Sequence, residues 1–339
     1  MSTDALTRDR SAAPAAASRP AAPPLRGLLW LSIRQNRFLL WTLVVLLVLA
    51  AADLLWIHIS SSHTVGVLRR TGCYSPETWS SAQCWALLAP INRPTYWYVH
   101  ILQPAVTAVP LLIGVFIGAP LLAQEYERGT IRLIRAQSVS PVRWLAARLA
   151  VPGAAVLALS GVLAALMSWV WWVDIVHGPI AFDPPFQFFT YPALGIAPVA
   201  WSLFALALGV LIGQLVRRTL PAMFLTAALV AGVHSLIRQG RPSFYPVVDE
   251  VTGLRDKATG LGAAQPTNAW LIDRGVVMPD GSRVDGDACV FTHQCDDATA
   301  SWLKYHPADH LVPIQLVEAG ILLGLTALIL VAVFRRIRR

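Results

Sequence analysis

Six continuous apolar runs constrain this chain more than any other feature. They lie near residues 38–59, 98–123, 149–173, 193–216, 219–237 and 312–334. Each is long enough to cross a hydrocarbon layer that needs about 20 helical residues. Inside lipid a spanning segment must satisfy its own backbone N–H and C=O groups, which leaves helices or closed barrels. The runs do not alternate polar with apolar residues, so barrel strands are excluded. The expected fold is an all-α membrane protein: six transmembrane helices, an N-terminal interfacial helix, and a large extracytoplasmic loop between helices 5 and 6. Composition agrees, since 55% of residues are apolar and 14% charged, against about a quarter charged in soluble domains.

The net charge of +8 raises nucleic acid as a partner, but the positions of the charges argue against it. With the N-terminus inside, 17 of the 27 basic residues fall on one side, within 8–37, 128–148, 217–218 and 335–339. Short outer segments hold only Arg69, Arg70 and Arg93, and the rest sit in one long loop that the positive-inside rule largely exempts. Orientation in a bilayer explains the basic balance. The expected topology is multi-pass, with both termini cytosolic.

Residues 1–24, rich in Ala, Pro, Ser and Arg, read as a disordered cytosolic tail. Residues 25–37 mix Leu25, Leu28, Leu29 and Ile33 with Arg26, Arg34 and Arg37, the pattern of an interfacial helix. Residues 38–339 then form the membrane domain, with a cytosolic loop at 124–148 and an extracytoplasmic loop at 238–311. Cys73 and Cys84 fall in the first outer segment and Cys289 and Cys295 in the last, so two local disulfides are the simplest pairing in an oxidising exterior. Three ionisable or amide groups stand inside spans: Asp53, Gln315 and Glu318. Such groups mark functional sites or pair with polar groups on neighbouring helices; Gln103, His234 and Asp53 are the partners open to Glu318. Pro104, Pro110 and Pro120 should interrupt the second span. Gly114-x-x-x-Gly118, Gly209-x-x-x-Gly213 and Gly320-x-x-x-Gly324 allow close helix approach, within the chain or across a dimer seam.

The loop at 124–148 is the most structured of the polar stretches. Gly129 can end a helix in the left-handed region, Thr130 can cap a new one, and Ser140 followed by Pro141 reads as a second cap. The stretch between would be a short helix carrying Ile131 and Ile134 on one face and Arg128, Arg132 and Arg135 on another. Too short to cross a bilayer, it would lie against a surface or a partner. Glu125 and Glu127 stand at its base, able to hold Arg132 and Arg135 or to meet side chains of a partner.

No G-x-x-x-x-G-K-[ST], H-E-x-x-H or G-x-S-x-G stretch is present, so no nucleotide site of the P-loop kind and no recognised hydrolase signature is expected. The eight histidines show no metal-site spacing, and neither catalytic nor metal-binding residues are assigned. Against that background the E-x-E-x-G-T stretch, its short helix, and Q-S-x-S-x-x-R-W-L resemble the permease subunits of ABC type-2 (ABC-2) exporters, in an actinobacterial-like form. The residues that carry the resemblance are Glu125, Glu127, Gly129, Thr130, Gln137, Ser138, Ser140, Arg143, Trp144 and Leu145, with Tyr305-His306-Pro307 through Gln315 and Glu318 a looser match. The resemblance implies a non-enzymatic transport subunit that pairs with a second permease subunit as a homo- or heterodimer. A separate cytosolic ABC ATPase would bind the ATP, with Arg132, Arg135 and Arg143 in the coupling loop; the chain itself would carry no cofactor. The alternative is an ATP-independent immunity or sensor protein that uses its outer loop as a receptor.

Overall fold

The computed structural model describes residues 36–74, 81–129, 140–176, 184–253, 268–288 and 297–338, together with Trp30, Ile33, Arg34, Pro266 and Cys295. Six helices are long and apolar enough to cross a membrane: Arg37–Arg70, Arg93–Glu127, Pro141–Val173, Ala197–Val216, Thr219–Ser243 and Ala308–Arg338, here spans one to six. Alternation puts the connections after spans one, three and five on one face of the bundle, the sheet side. The connections after spans two and four lie on the other, the loop side. The tail at 1–24 and more than half of the interfacial stretch at 25–37 lie outside the described residues.

Span one continues eleven residues past its apolar run, to Arg70. In its polar stretch the hydroxyls are satisfied by bonding back to the preceding turn, Thr64 to the Ser60 carbonyl at 3.0 Å and Ser62 to that of Ile59 at 3.1 Å. Cys73 and Cys84 form a disulfide that joins its end to the helix Ala82–Trp97. Cys295 is also disulfide-bonded, and Cys289 lies outside the described residues.

The proline interruptions of span two take the form of π-helical turns at Tyr98–Leu102 and Ile113–Gly118. A proline clashes with the carbonyl four residues earlier. For Pro104 and Pro120 those carbonyls belong to His100 and Phe116, both inside a π turn, where the wider spiral relieves the conflict.

Span four is the central pillar. It is the most buried of the six and touches spans two, three, five and six, whereas span one is mostly exposed on the bundle surface. Its contact with span two is glycine on glycine. A Cβ on Gly118 would stand 2.6 Å from the Leu206 carbonyl, and one on Gly209 would meet the Gly114 carbonyl. Two of the three small-residue motifs therefore pack against each other within the chain, while Gly320 and Gly324 of span six face open space.

The all-α membrane fold expected from sequence carries one addition, on the sheet side. The region between spans five and six holds a four-stranded antiparallel sheet, order β1-β4-β2-β3. Its strands are β1 (Val248–Gly253), β2 (Trp270–Val277), β3 (Arg283–Asp285) and β4 (Ala300–His306). The expected turn at residues 279–282 closes the β2–β3 hairpin: the Ser282 carbonyl accepts from Met278 N–H at 2.9 Å, and Asp280 accepts from Ser282. The central β4 pairs with β1 about fifty residues earlier, a long-range match that local turn chemistry does not reveal. Arg283 reaches over the Trp302 ring to Asp249 at 2.8 Å and holds that carboxyl below the usual range.

Candidate functional site

Two polar assemblies stand out, one at each end of the bundle. On the loop side, span two ends at Gly129, whose φ of +69° is the left-handed conformation that favours glycine. Its N–H bonds the Tyr126 carbonyl at 3.2 Å. Span three begins where Ser140 accepts from Arg143 N–H at 3.3 Å, the expected cap with proline at the first helical position. The Arg143 side chain is exposed. Thr130, Arg132, Arg135, Gln137 and Ser138 lie outside the described residues, and with them the short helix expected between Gly129 and Ser140.

The two acids at the loop base have partners on the bundle. Glu125 accepts from Arg148 of span three at 2.9 Å, with both side chains mostly covered. Glu127 accepts from the backbone N–H of Thr219 at 2.9 Å and from its hydroxyl, so it caps the start of span five from another helix. Arg217, itself left-handed at φ 59°, stacks over Tyr126 at 5.2 Å. Beneath them Leu145, Leu121, Leu122, Val210, Val333 and Ile337 form a buried cluster drawing on spans two, three, four and six. The loop base is thus tied by charge or hydrogen bond to spans three and five and by packing to spans four and six.

On the sheet side, Glu318 of span six is completely buried. Its two oxygens accept four hydrogen bonds: Tyr191 Oη–H at 2.9 Å, Trp201 Nε1–H at 2.7 Å, and Arg241 Nε–H and Nη2–H at 2.9 and 3.2 Å. The Arg241 guanidinium lies 3.7 Å over the Tyr191 ring. A buried carboxylate is tolerable only when paired and fully bonded, and this one is. The partners open to Glu318 from sequence, Gln103, His234 and Asp53, are placed elsewhere. Gln103 accepts from the Thr190 hydroxyl at 3.2 Å, His234 lies 4.9 Å from the Trp201 ring, and Asp53 accepts from Trp97 Nε1–H at 2.8 Å.

Gln315, one turn from Glu318, donates to the carbonyls of Tyr191 and Leu194 at 3.2 and 3.0 Å. Its side chain occupies the space where a Cβ on Gly195 would stand, and Gly195 is also left-handed at φ 61°. Gly195 N–H in turn bonds the Ser168 hydroxyl of span three at 2.8 Å. The segment 184–196, with its short helix Thr190–Ala193, is therefore a hub bonded to spans two, three and six. Sequence reasoning missed Tyr191, Trp201 and Arg241. One pointer exists in the chain: an acid inside a span calls for a cation at matching depth, and Arg241 closes the sheet-side end of span five.

The sheet is seated on this hub. Phe186 stacks between Tyr191 and Trp270, at 6.4 and 5.3 Å, and His306 Nε2 bonds the Pro242 carbonyl at 3.1 Å. No three His, Cys, Asp or Glu side chains among the described residues converge as a metal set. A family model described as "ABC-2 membrane transporter related" matches residues 44–240, from within span one to the end of span five. No curated protein and no solved structure gives a significant match.

Proposed function

Because the chain belongs to the ABC-2 membrane transporter related family, we propose that this transporter permease subunit is driven by ATP hydrolysis on a separate cytosolic ATPase and moves its cargo outward. In this arrangement the loop side and both termini face the cytosol and the sheet faces outward. The single observation that carries the reading is the base of the Gly129 loop. Glu127 grips the first turn of span five and Glu125 grips span three, so a push on the loop reaches two spans at once. Hydrogen-bonded and charged contacts between packed elements are what carry coupling from a distant event into the membrane. Gly320 and Gly324, open on span six, favour close approach by a second permease subunit. Family membership supports this reading over a receptor built on the outer loop.

The test is purification in mild detergent, asking whether an ATPase chain accompanies the protein and whether ATP hydrolysis rises on reconstitution. Glu127→Ala should leave the protein inserted, weaken the start of span five, and uncouple hydrolysis from transport. Transport by the purified chain alone, with no ATPase present, would refute the proposal.

A further inference from the structure

We propose that a cleft between spans two and five binds a membrane-borne amphiphile with an anionic headgroup, its apolar chain in the cleft and its headgroup on Arg238. The cleft has a volume of ≈ 290 Å³ and is lined mainly by apolar atoms, among them those of Ala108 and Leu111 of span two and Val230, Ala231 and His234 of span five, with the Trp201 indole as one wall. That volume is at the small end of ligand pockets. Ala231 and Ser235 are lining residues exposed on the bundle surface, so the cleft opens toward lipid rather than toward the sheet.

The charge at its mouth selects the headgroup. Arg238 follows the lining His234 by one helical turn, on the same face of span five. Its guanidinium stands 4.3 Å over the ring of Phe188, which packs edge-on at 4.6 Å against Phe189, another lining residue. The nearby Arg241 is committed to Glu318, whereas Arg238 forms no ion pair among the described residues. From Thr219 to Arg238 the helix rises about 28 Å, close to a hydrocarbon thickness of about 30 Å. The Arg238 cation therefore sits at headgroup depth, directly beyond an apolar cleft: a chain-and-anion arrangement. Trp201 connects the cleft with the buried cluster, since the same indole donates to Glu318.

The inference names a class of molecule that the permease would take up from the bilayer, and for that meaning it rests on the permease reading; the binding itself does not. The experiment uses the full chain in nanodiscs doped with either photoreactive phosphatidylglycerol or photoreactive phosphatidylcholine of identical chains. Cross-linked peptides are then mapped by mass spectrometry. Phosphatidylglycerol should label residues 104–111 and 230–235 about fivefold more than phosphatidylcholine, the effect of one arginine near an anionic surface. Arg238→Gln should make the two probes equal. Ala108→Phe should suppress both, and Ala231→Phe, at an exposed lining position, repeats that test if Ala108→Phe fails to fold. Equal labelling of the wild-type chain by the two probes, or undiminished labelling in the filled cleft, overturns the proposal. Selective labelling without any co-purifying ATPase would leave the site standing and remove the ATP-driven reading instead.

Discussion

Glu318 shows how much one side chain can hold in an apolar bundle. Removing it leaves the Arg241 guanidinium buried without a counter-charge, and breaking a buried pair from one side costs about 3–5 kcal/mol. Glu318→Ala should therefore lower the thermal midpoint of the purified protein far more than the double variant Glu318→Leu with Arg241→Met, in which both charges leave together. Equal losses in the two would mean that packing, not charge, sets the value of the site. Gly129 is the opposite kind of residue. Nothing surrounds the position of its missing Cβ, yet its left-handed backbone makes Gly129→Ala cost about 1–2 kcal/mol, confined to the loop where coupling is proposed. Glycine before a cap was legible in the chain. Tyr191, Trp201 and Arg241 were not, because they meet Glu318 from elements 77 to 127 residues away.

At the scale of elements, two helices meet wherever small residues face each other. Gly209→Leu should prevent spans two and four from closing, with loss of monodisperse protein, whereas Gly320→Leu, facing open space within the chain, should leave the single chain folded and shift only the elution of the proposed dimer; size-exclusion profiles of the two decide this. Forced overpacking costs about 1–3 kcal/mol. Strand β4 offers a pH test. Burial lowers the pKa of His306, the bond to the Pro242 carbonyl opposes that effect, and the facing His310, Nδ1 to Nδ1 at 3.1 Å, adds repulsion. The folded pKa lies below the ordinary value of about 6.5. Stability from neutral His306 is thus complete above that value and lost as pH falls through the lowered folded one. Limited proteolysis within residues 268–306 should speed up between about pH 7.5 and about pH 5. His306→Gln, which keeps a donor for Pro242, should abolish the difference.

The whole molecule has the form of a bundle with a small sheet mounted over its buried polar hub. Phe186 and Trp270 are the aromatic seat between them. Trp270→Ala should loosen the sheet without unfolding the spans, raising hydrogen exchange in β2 and β4 by about tenfold, the worth of one aromatic pair. A uniform rise across the spans would show that sheet and bundle unfold together.

The chain by itself determined the number of spans, their approximate ends, the caps at Gly129 and Ser140, and the turn at residues 279–282. These depend on local apolar length and local backbone chemistry, which are written in consecutive residues. It also set Glu318 apart as a residue needing partners. Only the tertiary structure decided who those partners are, which span stands at the centre, and that the region between spans five and six folds as a sheet. Span one is the most apolar and the least buried, because lipid is as good a solvent for leucine as a protein core is. Hydropathy therefore marks what enters a membrane, while close glycine contacts and long-range hydrogen bonds, invisible to any local window, choose what lies inside.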